Sequence, residues 1–201
     1  MNKHGKKMNW VLAGALIGAL MAAGAARAEG PVWQPLLGVG LTVGGDKFIE
    51  GIRYDDGYSE DIAAGQFLQI YAGVQYQAVP NFSVQATAGY HVDETRRASN
   101  GNARFARYPF EVLAHFHVTD QVRVGGGVRF VTGAEFTSSG LLASGNRTFD
   151  NTTGAVVEAE YLVAPQLGFK LRYVSEKYQA KAPFAETVDG SHVGFMFNWY
   201  L

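Results

Sequence analysis

The chain has 201 residues, no cysteine, and 17 basic against 18 acidic side chains, for a formal charge of −1. This balance lacks the basic patch a nucleic-acid partner needs, and without cysteine there is neither a disulfide staple nor a thiolate metal site. The 25 glycines and 13% aromatic content, with no long apolar run after the N-terminus, fit a membrane barrel better than a helical bundle.

The N-terminus reads as a secretory signal over residues 1–28. Lys3, Lys6 and Lys7 form a basic start, Val11 to Ala25 is uncharged and apolar, and Ala26-Arg27-Ala28 fits the small-x-small cleavage pattern. An uncleaved membrane helix is the competing reading, but the apolar run is short and diluted by Ala and Gly. No cysteine follows to carry a lipid anchor. Removing 28 residues from 201 leaves 173, and 13 basic against 18 acidic groups, a charge of −5. Residues 29–201 are expected to form one domain.

Eight alternating segments follow: Leu36–Phe48, Gln66–Ala78, Phe82–Asp93, Phe105–Val118, Gln121–Phe136, Thr153–Ala164, Leu167–Tyr178 and His192–Leu201. Each is long enough for a tilted membrane strand. Neighbouring side chains on a strand point to opposite faces. In the third segment Phe82, Val84, Ala86, Ala88 and Tyr90 share one face, and Ser83, Gln85, Thr87 and Gly89 the other. The fifth sets Val122, Val124, Val128 and Phe130 against Arg123 and Arg129. The seventh sets Leu167, Phe169, Leu171 and Tyr173 against Lys170 and Arg172. In the sixth, Val157, Ala159, Tyr161 and Val163 go outward, because the opposite parity exposes Glu158 and Glu160 to lipid at kcal/mol cost.

Parity alone leaves open whether the apolar face lies outside or inside. Three features favour lipid outside. Small residues such as Gly38, Gly73, Gly125 and Gly168 sit on the polar face, where a narrow lumen must fit large neighbours. Aromatics gather at both ends of the apolar face: Trp33, Tyr76, Phe82, Phe116, Tyr161, Phe169 and Trp199 as one girdle, Tyr90, Tyr108, Phe130, Tyr173 and Phe195 as part of the other. The last strand faces Phe197, Trp199 and Leu201 outward.

Direction comes from the connections. Val79-Pro80-Asn81, Thr119-Asp120 and Pro165-Gln166 are short, whereas the stretches 49–65, 94–104, 137–152 and 179–191 are long and polar. Short periplasmic turns and long extracellular loops are the rule for bacterial barrels. Pro109, inside the fourth segment, lacks a ladder donor and is expected near the outer rim, at a bulge or where pairing ends. The fold class is therefore all-β: an eight-stranded antiparallel up-and-down transmembrane β-barrel.

This pattern resembles the small eight-stranded outer-membrane barrels of Gram-negative bacteria, the class that includes OmpX, OmpW and the OmpA membrane domain. The resemblance spans residues 29–201 and includes the aromatic-rich last strand, Gly194-Phe195-Met196-Phe197-Asn198-Trp199-Tyr200-Leu201. It implies an outer-membrane location, delivery by periplasmic chaperones, recognition of the last strand by the barrel-assembly machinery, and a monomer amid outer-membrane lipid and lipopolysaccharide. Many members end in Phe or Trp; this chain ends in Tyr200-Leu201. The resemblance implies no established activity.

Glu111, Arg123, Arg129, Glu158, Glu160, Lys170 and Arg172 carry inward parity on consecutive strands. Together they read as a lumen-filling charge network that fixes register, with a gated ion path as the rival reading. His115 and His117 are also inward, and with Glu160 offer a weak metal signature, so satisfied lumen histidines are the better reading. His91 and His192 sit at the outer rim, but Ser191 and His192 are adjacent on a strand and cannot form a nucleophile–base pair. No catalytic residue, metal or cofactor is assigned.

The first loop carries Glu50, Asp55, Asp56, Glu60 and Asp61 against Arg53, a solvated acidic surface with weak Ca²⁺ or Mg²⁺ binding as the alternative. Arg96, Arg97 and Arg104 in the second are candidate contacts to lipid phosphates. The expected role is structural or surface-interacting. The rivals are a narrow path for small hydrophobic molecules, for which Leu113 and Met196 are the apolar inward residues on offer, a lipid A-modifying enzyme, and a soluble periplasmic barrel.

Overall fold

The computed structural model describes residues 32–53, 59–95, 101–140 and 145–201. The expected signal, Asp55, Asp56, Arg96 and Arg97 lie outside them. The strands are β1 (Val32–Gly44), β2 (Lys47–Arg53), β3 (Ser59–Ala63), β4 (Phe67–Val79), β5 (Phe82–Glu94), β6 (Gly101–His117), β7 (Val122–Gly140), β8 (Arg147–Thr148), β9 (Thr152–Ala164), β10 (Leu167–Ser175), β11 (Lys177–Gln179), β12 (Thr187–Asp189) and β13 (His192–Tyr200).

Eight of these, β1, β4, β5, β6, β7, β9, β10 and β13, pair antiparallel in one ring, closed by β6 on β7 and by β1 on β13. Closure leaves no open edge, as a lipid-embedded sheet requires. Burial is inverted relative to a soluble protein. Leu41, Leu171 and Phe195 are 59%, 59% and 57% exposed, whereas Arg107 and Arg129 are 0%. A soluble barrel needs the reverse, so that alternative falls.

Glycine makes room inside. A Cβ at Gly38 would collide with the Tyr71 ring, which crosses the lumen from β4. Gly133 has another task, with φ at +61°. There β7 carries an extra residue opposite β6, so pairing slips from Ala106↔Glu135 to Tyr108↔Thr132. One extra residue exchanges the two faces. Below the bulge Arg129 and Val131 point inward; above it Ala134 and Phe136 do. Pro109 lies beside this irregularity, in a gap of the β5–β6 ladder between Ala88↔Phe110 and His91↔Arg107, across which the register is unchanged.

The strand ends differ from the sequence expectation. β1 stops at Gly44 rather than Phe48, and Phe48 belongs to a separate hairpin, β2–β3. β10 stops at Ser175 rather than Tyr178, and its continuation pairs as β11–β12. β6 and β7 run further outward, from Gly101 and to Gly140. Two stretches expected as polar loops are therefore hairpins, because they have an apolar surface to bury. Ile62, Phe105, Phe136, Phe149 and Tyr178 form a buried cluster at the barrel end that carries the hairpins, with Phe48 stacked 4.7 Å from Phe136. Leu113 and Met196 are thus a small part of the inward apolar surface.

Candidate functional site: the charged interior

Inward parity on β6, β7, β9 and β10 brings long charged side chains onto one axis. Their ion pairs run as a single alternating series from the end that carries the hairpins toward the end that carries the short turns. Arg107 lies 3.9 Å from Glu176, and Arg129 reaches Glu176 at 2.8 Å and Glu111 at 2.6 Å. Arg172 holds Glu111 at 2.7 Å and lies 3.7 Å from Glu158. Lys170 holds Glu158 at 2.5 Å and lies 3.9 Å from Glu160, which Arg123 holds at 2.7 Å.

All seven residues singled out by parity lie in this cluster. Two more, Arg107 and Glu176, extend it outward. Their signal was available: Arg107 shares the parity of Glu111 on β6, and Glu176 continues the parity of Arg172 just past β10. With Asp93, the described residues hold five buried carboxylates and five buried Lys or Arg cations. Ionised groups removed from water are tolerable when each meets opposite charge and further hydrogen bonds.

Neutral groups supply many of those bonds, while Arg107 Nε and Nη1, Arg123 Nη2, Arg172 Nε and Glu158 Oε2 are buried without one. Tyr71 Oη donates to Asn198 Oδ1, and Asn198 Nδ2 donates to Glu160 at 3.0 Å. Tyr200 Oη donates to Glu160 at 2.8 Å, and Arg123 donates to Gln75 at 2.8 Å. Lys170 also donates to Gln85 at 2.9 Å, and Tyr178 Oη donates to Glu176 at 2.7 Å. The Arg107 guanidinium lies against two aromatic rings, 4.8 Å from Phe105 and 5.9 Å from Tyr178. That places the charged layer directly beneath the aromatic cluster.

The histidines are parts of the same packing. His115 Nε2 lies 2.7 Å from Glu158, not Glu160, and His117 lies 2.9 Å from Ser83. Among the described residues no group of three or more His, Asp or Glu is placed to hold a metal ion. His91 and His192 meet edge-on, ring centroids 5.0 Å apart. His91 Nε2 is 2.8 Å from Thr42 Oγ1, and its Nδ1 is 3.2 Å from Arg129. Arg107 Nη2 is also 3.1 Å from Nε2, so guanidinium donors face both ring nitrogens, and a neutral ring accepts from only one of them. His192 Nδ1 contacts the Gly190 carbonyl at 2.7 Å, whereas the Ser191 hydroxyl accepts from the Glu176 amide at 3.3 Å. Ser191 and His192 do not face one another.

The peripheral candidates sit elsewhere. Glu50 and Asp61 are occupied by Lys47, at 3.5 Å and 2.9 Å. Arg104 is on the outward face of β6, where Nη2 donates to Tyr90 Oη.

Residues 12–200 match the family model described as outer membrane protein beta-barrel domain. No curated protein matches the chain. Among solved structures, Ail, the attachment invasion locus protein of Yersinia pestis, is 12% identical, with a TM-score of 0.55, over 86% of this chain and 99% of that one. The same protein in complex with the heparin analogue sucrose octasulfate is 13% identical over the same shares, with a TM-score of 0.55. Neisserial surface protein A is 11% identical, with a TM-score of 0.49, over 85% of this chain and 99% of that one. For Ail, at these identities, the likeness is one of fold.

Proposed function

The chain belongs to the outer-membrane β-barrel domain family, and from that premise we propose that it is a sealed barrel with a structural and surface-presenting role, not a conduit or an enzyme. The observation that carries this reading is the alternating ion-pair series. An eight-stranded lumen is just wide enough for its own side chains, and here they are charged, paired and buried. The aromatic cluster above adds an apolar layer that a hydrated ion would have to cross without its shell.

The rest of the reading follows from location. The signal at residues 1–28 is cleaved after Ala28, periplasmic chaperones carry the chain, and the assembly machinery recognises its last strand. The mature protein is a monomer amid outer-membrane lipid and lipopolysaccharide, holding no cofactor. Its short turns face the periplasm and its hairpins β2–β3 and β11–β12 face out. Planar-bilayer recording tests the seal. Purified protein is expected to give no steps above the bare bilayer, and steady ion-conducting steps contradict it.

A second reading, a path for small hydrophobic molecules, draws on the interrupted β5–β6 ladder beside Pro109, where Gly89 and Tyr90 fall between paired registers. Uptake of a fluorescent apolar solute into protein-containing vesicles separates it from the sealed barrel, which gives no uptake beyond protein-free vesicles. Lipid A mass spectra with and without the protein are expected to be identical; a changed acyl pattern favours an enzyme.

A further inference from the structure

We propose that the outer wall carries a lipid-binding site: a groove for one acyl chain of a phosphorylated glycolipid of the outer leaflet, whose phosphate is held by Arg104. The proposal rests on the orientation given above, with the long connections facing outward.

The groove is a hollow of about 660 Å³ on the apolar face. Its floor and walls come from one row of the sheet, in which Leu37 pairs with Ala72, Ala72 with Ala88, and Ala88 with Phe110. Two methyl side chains thus sit between two large ones, leaving a depression one side chain deep across β4 and β5. Ile70 and Tyr108 rise on its outward side. In hydrocarbon no hydrophobic effect drives apolar groups together, so shape decides which lipid contacts persist. A chain laid in a hollow touches walls as well as floor, whereas one on a flat wall touches a single surface.

Charge is placed at the outward end. Tyr90 and Tyr108 stand side by side, ring centroids 5.4 Å apart, between the hollow and Arg104. Arg104 Nη2 donates to the Tyr90 hydroxyl, its Nε is buried without a hydrogen-bond partner among the described residues, and Glu94 lies 3.9 Å away, beyond hydrogen-bond reach. The Arg104 side chain is 43% exposed. A partly exposed guanidinium that no carboxylate hydrogen-bonds, above an apolar hollow and below long extracellular connections, matches a lipid that joins an acyl chain to a phosphate. Glu94 opposes the same anion and lowers its affinity.

Native mass spectrometry of the folded protein released from neutral-detergent micelles tests this, with bis-phosphorylated lipid A, phosphate-free lipid A and phosphatidylglycerol as probes. One bis-phosphorylated lipid A is expected to stay bound. Arg104→Gln weakens it about tenfold, the scale of a hydrogen bond to a charged group. Ala88→Leu, which fills the hollow with an outward side chain, weakens it about tenfold or more for both lipid A forms. Glu94→Gln tightens the phosphorylated form. Ala159→Leu, on the far wall, is the matched control and changes nothing. Wild-type retention by Ala88→Leu, with its heat-modifiable gel migration intact, overturns the groove. Equal retention of phosphate-free lipid A overturns the role of Arg104. Preference for phosphatidylglycerol overturns the assignment to the outer leaflet. The sealed lumen is read separately by conductance, which an outer-wall substitution does not touch.

Discussion

Glu111 and Arg129 face each other as register partners on β6 and β7, and their side chains meet at 2.6 Å within the barrel. The same guanidinium reaches Glu176 at 2.8 Å, so one cation holds two carboxylates. Replacing Arg129 by Met leaves both anions short of their counter-charge. The expected cost is about 3–5 kcal/mol, the scale of a broken buried pair. Urea unfolding in lipid vesicles measures it, and Arg129→Lys is expected to recover part of the loss. A loss under about 1 kcal/mol contradicts the pairing, since that is the scale of an exposed pair.

The bulge at Gly133 makes a separate prediction. Its φ of +61° suits glycine, and a Cβ there would press on the Tyr108 ring. Gly133→Val is expected to cost about 1–2 kcal/mol from backbone strain alone. The change acts on the parity switch that turns Phe136 inward, so it also loosens the aromatic cluster. Faster amide exchange at Phe105 and Phe136 than in the parent protein checks this, and unchanged exchange contradicts it.

Leu171, 59% exposed, sits at the middle of β10 on the lipid-facing side. Leu171→Arg is expected to cost about 2–4 kcal/mol in a bilayer, the range for a cation at the midplane. Lys181, in the β11–β12 connection, tolerates replacement by Ala within about 0.5 kcal/mol. Equal costs for the two contradict the assigned lipid face.

The β2–β3 hairpin supplies a pH signature outside the membrane. The Gly51 amide donates to the Asp61 carboxylate at 2.7 Å, and Lys47 lies 2.9 Å away. The amide first, then the lysine, holds the Asp61 carboxyl below its ordinary value. A carboxyl whose folded pKa is depressed adds stability above its unfolded pKa, about 3.9, and that stability disappears as pH falls through the lower folded pKa. Gly51 amide exchange is therefore expected to accelerate as pH drops below about 4, after correction for intrinsic rates, and to be pH-independent in Asp61→Asn. The same acceleration in Asp61→Asn contradicts the assignment.

Alternation in the sequence carried the ring of strands, because a period of two is local and survives without knowledge of partners. It also set Glu111, Arg123, Arg129 and Lys170 on one face. Arg107 was not legible because Phe105 and Pro109, its neighbours on the same face, make that stretch read as apolar, and Glu176 because it follows the regular part of β10. The outer hairpins were not legible: Phe48 reads as the end of an alternating strand, and only its stacking on Phe136, 88 residues on, shows where it belongs. Nor does Val131-Thr132-Gly133-Ala134 announce that an extra residue reverses the faces.

The central claim is that apolar side chains meet hydrocarbon while the ionised ones are enclosed. With no native cysteine in the chain, a single nitroxide at Phe195→Cys in intact outer membranes tests it most directly. The account predicts fast relaxation by dissolved oxygen and none by a water-soluble nickel chelate. Relaxation by the chelate, as for a label in water, contradicts it.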